Sequence, residues 1–228
     1  NIGLKIFFKR EDGFHEIESV FYPVNWKDIL EIVPNGEGKG VVEFSSSGID
    51  IPKGSDGNLC ERAYRMLHAD FNLPSVKIHL HKVIPIGAGL GGGSADATFT
   101  LKMLSELFEL QLENSQLKKY CEQLGSDCPF FVENTPKLVT GRGEVMAPIK
   151  VDLSGYQLVL VNPGIHIGTP EAYRNVNLGS SEFNLSELVL ESPSAWKKNV
   201  KNDFEDSLFP SYPQIEGLKE SLYSKGAL

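Results

Sequence analysis

Long apolar runs are absent from this chain of 228 residues. No stretch reaches the roughly 18 apolar residues that a membrane-crossing helix needs. The first residues also lack the charged, apolar and small-residue succession of an export signal, so none is expected. Cysteine is scarce: Cys60, Cys121 and Cys128 are an odd number without metal-ligand spacing. They make a poor disulfide framework and fit a reducing compartment, the cytoplasm or an organelle matrix by default. Basic residues are outnumbered, 22 against 30 acidic, for a net charge of −8. That balance argues against a nucleic-acid surface, but local N–H groups and a few basic side chains can still hold a nucleotide. His79 and His81 alternate along one segment with no carboxylate or cysteine cluster beside them, so they read as structural and no metal site is expected. Internal repeats and low-complexity segments are missing too. The 41% apolar content is enough for a packed core in one large domain or two small ones.

Glycine is where the chain is rich. Gly87, Gly89, Gly91, Gly92 and Gly93 fall within seven residues of Pro85-Ile-Gly-Ala-Gly-Leu-Gly-Gly-Gly-Ser-Ala-Asp96. Glycine leaves backbone N–H groups unshielded and permits the positive φ of a tight loop. A strand-like run, 76–84, precedes the loop, and a helix-like run follows, opening at Ser94 and reaching about Leu110. Such a loop offers bare donors and the positive end of a helix dipole, which suits a phosphate. The competing reading is a strand-to-helix turn that binds nothing. Among known phosphate loops, the Walker type fails because no lysine stands between Gly93 and Ser94. Gly87, Gly89 and Gly92 satisfy G-x-G-x-x-G, but that fold needs an acidic residue ending a second strand about 20 positions on. Here that distance falls inside the helical run, at Leu107 to Glu109. The protein-kinase loop fails because His-Arg-Asp and Asp-Phe-Gly do not occur.

Around the loop, periodicity and turn residues outline the chain. Residues 2–9 and 15–22 read as a hairpin joined at Asp12-Gly13. Residues 28–33 and 41–45 read as further strands, separated by the glycine-rich segment 34–40. Asn58 is the expected N-cap of a helix from Leu59 to about Asp70, with an apolar stripe of Leu59, Ala63, Met66, Leu67 and Phe71. The helix after the loop places Ala97, Leu101, Leu104 and Phe108 on one face. Another runs from Asn114 or Ser115 to a stop at Gly125. Residues 130–132 and 137–139 read as returning strands, with Gly141-Arg-Gly143 as a turn. Residues 150–155 mark the expected domain junction, dividing the chain into 1–150 and 151–228. Residues 156–162 then read as an apolar strand, Thr169-Pro170 as a helix start, and 176–195 as a polar surface connection. Periodicity alone gives an α+β chain of two lobes.

The pattern Pro85-x-x-x-Gly-Leu-Gly-Gly-Gly-Ser94 resembles the phosphate-binding motif of the GHMP small-molecule kinases, which include galactokinase, homoserine kinase and mevalonate kinase. Two further segments, Asp12-Gly-Phe-His-Glu16 and Leu124-Gly-Ser-Asp-Cys-Pro-Phe-Phe131, narrow the resemblance to the 4-diphosphocytidyl-2-C-methyl-D-erythritol kinases of the non-mevalonate isoprenoid pathway. It runs from residue 1 to at least Tyr173. It implies the two-lobed GHMP kinase fold: a ribosomal-protein-S5-domain-2-like N-terminal lobe with a left-handed βαβ unit, and a ferredoxin-like C-terminal lobe, with the active site in the cleft. It also implies ATP and Mg²⁺ as cofactors, a small-molecule acceptor, no nucleic acid or membrane partner, and a cytoplasmic monomer or weak homodimer.

Residue by residue, the resemblance makes Asp127 the general base and also a substrate contact. Spacing alone leaves Asp127 equally open to an Asx turn ahead of Pro129. The ATP phosphates would be held along Pro85, Ile86, Gly87, Ala88, Gly89, Leu90, Gly91, Gly92, Gly93, Ser94 and Ala95. Ser94 could give its hydroxyl to phosphate or Mg²⁺, or simply cap the helix. Phe14 and His15 match the cytosine-binding pair, where a ring stacks and a polar neighbour reads the base edge. As unaided residues they fit a hairpin core and an exposed turn. Tyr173, four residues after Thr169, matches a second stacking aromatic, with helix packing as its alternative, and Thr169 is carried with it as a substrate contact. Asn1 matches the asparagine of a first-strand motif whose lysine would stand two positions earlier, outside this sequence. The C-terminal glycine-rich motif of the superfamily would likewise follow Leu228, so the sequence reads as trimmed at both ends. The rival functions are another GHMP kinase of homoserine or mevalonate type, a silent nucleotide-binding relative and, more remotely, a dehydrogenase.

Overall fold

Short-range chemistry accounts for most elements of the computed structural model, which describes residues 1–52, 57–174, 176–178 and 184–228. In chain order they are β1 (Ile2–Lys9), β2 (His15–Phe21), β3 (Ile29–Lys39), β4 (Val42–Gly48), α1 (Leu59–Phe71), β5 (Pro74–Lys82), α2 (Gly92–Leu107), α3 (Asn114–Leu124), α4 (Phe130–Glu133), β6 (Lys137–Thr140), β7 (Val145–Pro148), α5 (Thr169–Arg174), α6 (Leu185–Leu188), α7 (Pro193–Asn199), α8 (Phe204–Leu208) and α9 (Pro213–Ser224). Their packing divides the chain into two compact units, Asn25–Asn134 and Asn1–Val24 together with Thr135–Leu228.

In the unit 25–134, β5 is the central strand, antiparallel to β3 and parallel to β4. The parallel pair forces a crossover, and α1 supplies it, making a βαβ connection. Asn58 caps α1 as its sequence predicts: its side chain accepts from the Cys60 N–H at 2.8 Å, and the Glu61 carboxylate returns a bond to the Asn58 N–H at 2.7 Å. Val76, Ile78 and Leu80 of β5 meet Ala63, Tyr64 and Leu67 of α1 and Ala97, Leu101 and Leu104 of α2 in one buried core. The opposite face of the sheet mixes polar side chains with the exposed Ile29 and Val33. There Ser47 lies 3.0 Å from His79 Nε2 and 2.9 Å from His81 Nδ1, consistent with a structural role for both histidines.

The other unit carries an antiparallel sheet in the order β1-β2-β6-β7. Its buried residues include Leu4, Ile6 and Ile17 in one cluster and Val20, Val151, Leu185 and Val189 in another. The last two correct the reading of 176–195 as a surface connection, of which 179–183 lies outside the described residues. A polar composition does not stop two apolar side chains from finding a core.

Other expectations are also revised. Residues 130–132 form a helix, α4, because the preceding turn already sets a helical course: Phe130 N donates to Asp127 O and Phe131 N to Cys128 O. The segment 34–40 does not separate two strands, since β3 runs to Lys39. Residues 156–162 are not a strand. Val159 is 75% exposed, and no described strand takes up the backbone groups of this run, as a strand requires. From 151 to 228 the described residues form α5–α9 and no strand.

Candidate active site

The glycine-rich segment links the end of β5 to the start of α2. Helix α2 begins at Gly92, two residues before Ser94, because Gly91 adopts the left-handed conformation (φ +66°) and serves as N-cap without a side-chain bond. Ser94 therefore stands inside the first turn and is not the cap. The first N–H groups of a helix have no intrahelical partner, and here no capping side chain takes them. They open on a pocket of about 460 Å³ lined by every residue from Pro85 to Ser94, by Ile51, Asn58 and Leu59, and by Lys82 and Asp96. Ala95 does not line it; its N–H closes the first turn onto Gly91 O at 2.9 Å. Two of the glycines answer to packing as well as to the loop. A Cβ on Gly91 would lie 3.1 Å from the Phe131 ring, and one on Gly92 would lie 3.0 Å from Lys82 Nζ.

Under the loop lies an ion cluster that the sequence reading missed. Lys82 Nζ donates to Asp28 Oδ2 at 2.6 Å and to Asp96 Oδ2 at 2.7 Å, all three side chains being buried. Burial pulls the Lys82 ammonium down, but its two carboxylate partners outweigh this and hold it above its ordinary value. Burial pushes Asp96 up to about 6 against the pull of Lys82. At Asp28 the push of burial is overcome by the Ile84 N–H, Lys82 and the Val83 N–H, leaving the carboxyl below its ordinary range. One signal was available: Lys82 follows Val76, Ile78 and Leu80 in strict alternation, which places it on the core face.

Asp127 sits in the turn between α3 and α4. The helix before it ends at Gly125 as expected, though with extended backbone (φ 172°); a helix, not a strand, follows. Asp127 is exposed as a residue, but its carboxyl group is partly desolvated, which raises it above the ordinary carboxylate range. An Asx turn needs an N–H two residues on, as Asp12 finds in Phe14 at 3.1 Å; after Asp127 that position is Pro129, which has none to give. The turn is tied to α2 instead. Thr98 Oγ1 donates to Cys128 O at 2.9 Å. Thus the loop and the candidate base share one helix as their support.

The remaining candidates, Asn1, Phe14, His15, Thr169 and Tyr173, belong to the other unit. His15 and Tyr173 come together, with ring centroids 4.5 Å apart and planes at 19°. The Tyr173 ring also meets Phe204 edge-on at 4.8 Å. Desolvation, and then Lys9, lowers His15 and keeps its ring neutral at pH 7, with one nitrogen to donate and one to accept. Phe14 is half exposed, and Arg142 stacks on its ring at 4.9 Å. Asn1 precedes β1, and Thr169 is the first residue of α5.

Against known proteins, residues 58–134 match the GHMP kinases N terminal domain. The chain is similar over its whole length to 4-diphosphocytidyl-2-C-methyl-D-erythritol kinases from Bacteroides fragilis and Cytophaga hutchinsonii, each 45% identical and covered over 83% of its length. A crystal structure of 4-(cytidine 5'-diphospho)-2C-methyl-D-erythritol kinase superposes with a TM-score of 0.80 at 30% identity, over 98% of this chain and 80% of that one. A homoserine kinase structure from Cytophaga hutchinsonii, TM-score 0.50 at 17% identity, shares the fold alone. The fold and its glycine loop are those of a GHMP small-molecule kinase, a class that uses ATP. Within that class the chain belongs to the 4-diphosphocytidyl-2-C-methyl-D-erythritol kinase family.

Proposed function

We propose that this protein transfers the γ-phosphoryl group of ATP to the 2-hydroxyl of 4-diphosphocytidyl-2-C-methyl-D-erythritol, in the non-mevalonate route to isoprenoid precursors. The observation that carries the reading is the uncapped glycine-loop helix on its pocket, with the Asp127 turn bonded to the same helix. Phosphoryl transfer asks the protein mainly for positioning and charge stabilisation. The N–H groups of 85–95 hold the nucleotide phosphates, and the Asp127 carboxylate takes the proton of the acceptor hydroxyl. His15, Phe14 and Tyr173 hold the cytosine ring, and Asn1 and Thr169 contact the same substrate. Among the described residues no group of three or more His, Cys, Asp or Glu side chains is placed to hold a metal. Mg²⁺ would be carried in on the phosphates, with Ser94, which lines the same pocket, offering it a hydroxyl oxygen. When bound, the ion neutralises charge on the transferring group.

The same reading takes 1–150 as the ATP-binding lobe and 151–228 as a second lobe, bounds that differ from those of the packing units 25–134 and 1–24 with 135–228, and takes the enzyme as a cytoplasmic monomer or weak homodimer without nucleic-acid or membrane partners. No helix of the described residues is long and apolar enough to cross a membrane. The test is ADP release by the full-length protein with Mg-ATP and 4-diphosphocytidyl-2-C-methyl-D-erythritol, with homoserine and mevalonate as comparison acceptors. Turnover with the cytidine substrate alone is expected. Turnover with another alcohol would remove Phe14 and His15 as base readers, and nucleotide binding without turnover would point to a silent relative.

A further inference from the structure

Asp28 lies outside every motif of the sequence, just ahead of β3, with its side chain 4% exposed. Both of its oxygens are engaged at the glycine loop. Oδ1 accepts from the N–H groups of Val83 at 2.6 Å and Ile84 at 2.8 Å, the two residues between β5 and Pro85. Oδ2 accepts from Lys82 Nζ, which donates in turn to Asp96 on α2. One carboxylate therefore holds the entry of the loop directly and its exit helix through one ammonium group. Gly92 lets that helix settle onto the ammonium, since a Cβ there would sit 3.0 Å from Nζ and 3.1 Å from Ile84 Cγ2.

A buried cluster of two carboxylates and one ammonium is a costly way to join a strand to a helix. Apolar side chains of similar volume commonly serve stability as well or better. What the ions add is direction: each bond fixes a particular oxygen against a particular donor, so loop and helix are held at a set distance. We propose that Asp28 is a positioning residue for the nucleotide, acting through Lys82 and through the backbone of Val83 and Ile84 to hold the phosphate-binding N–H groups in place. The inference rests on the reading of 85–95 as a phosphate cradle. Asp28 itself touches no nucleotide.

The test uses the full-length protein, calorimetric binding of Mg-ADP, and CDP as the comparison ligand. Asp28→Asn keeps an oxygen for Val83 and Ile84 but turns an amide toward Lys82; Asp28→Ala removes both supports. Melting curves establish which variants are folded at the assay temperature. For Mg-ADP, Kd should rise about tenfold in Asp28→Asn and further in Asp28→Ala, the scale of lost charge-assisted bonds. CDP should stay within about twofold, as expected of a distant, independent site. In turnover, the nucleotide KM should rise while kcat at saturating ATP holds. An unchanged Mg-ADP Kd in a folded variant overturns the inference, as does equal weakening of both ligands, which would mean general loosening. Hydrogen exchange on the wild-type protein decides the matter even if neither variant folds. The Val83 and Ile84 amides should exchange slowly, and fast exchange at both overturns the role. If wild-type protein binds CDP but no Mg-ADP, the cradle reading itself fails and the inference falls with it.

Discussion

Thr98 donates its hydroxyl hydrogen to the carbonyl oxygen of Cys128 at 2.9 Å, joining the second turn of the glycine-loop helix to the residue after Asp127. The hydroxyl lies equally close to Ser94 O, one turn earlier. Thr98 and Cys128 are both buried, and the water lost at the hydroxyl and the carbonyl is offset by the bond between them. The arrangement makes the candidate base and the candidate cradle depend on one helix, and it sets the expectations that follow.

Asp127→Asn keeps the size of the side chain and removes its basicity. Its kcat should fall on the order of 10²–10⁴-fold, the usual contribution of a general base, with the nucleotide KM little changed. Steady-state assays of a variant with native circular dichroism check this, and near-wild-type turnover would remove Asp127 from the mechanism.

The pH dependence follows from the partly desolvated carboxyl of Asp127, which is raised above the ordinary carboxylate range. A base must be ionised to work, so kcat should be low in acid, rise as pH passes the folded-state pKa, and then level off. The stability sign is opposite. A raised carboxyl pKa favours folding below the unfolded value, and that contribution is lost as pH rises through the folded pKa. Asp127→Asn should therefore lose less stability than wild type between acid and neutral pH while being nearly inactive. An equal pH dependence of the two melting points would argue against the shift.

Gly91→Val asks a β-branched residue to adopt φ +66° and to place its Cβ 3.1 Å from the Phe131 ring. The backbone strain alone costs about 1–3 kcal/mol. Displacement of the loop should lower kcat/KM for ATP on the order of 10²-fold, the scale of an ångström-level misplacement. Chemical denaturation and ATP titration read the two effects separately, and an unchanged ATP profile would refute the cradle.

Tyr173→Ala removes the ring stacked on His15. If the pair holds cytosine, KM for the cytidine substrate should rise about tenfold, the scale of an aromatic stacking contact. KM for ATP should stay within about twofold, as for an independent site. Equal changes in both constants would assign Tyr173 to helix packing against Phe204.

Much of this was legible in the residues themselves. The hairpin at Asp12-Gly13, the Asn58 cap, the apolar stripe of α1 and the glycine loop all follow from interactions between near neighbours. Period, turn chemistry and capping are properties of a few consecutive residues, and the chain carries them wherever it goes. What neighbours could not decide was pairing over distance. Asp28 and Lys82 are 54 residues apart, and only packing β3, β5 and α2 together makes one the partner of the other. Residues 156–162 have the composition of a strand but no described strand alongside, whereas Leu185 and Val189, set in a polar stretch, are buried. Residue types along the chain determined which segments could curl, extend or turn. The tertiary structure decided which polar groups would be buried, because a charge leaves water only when a folded partner is already there to receive it.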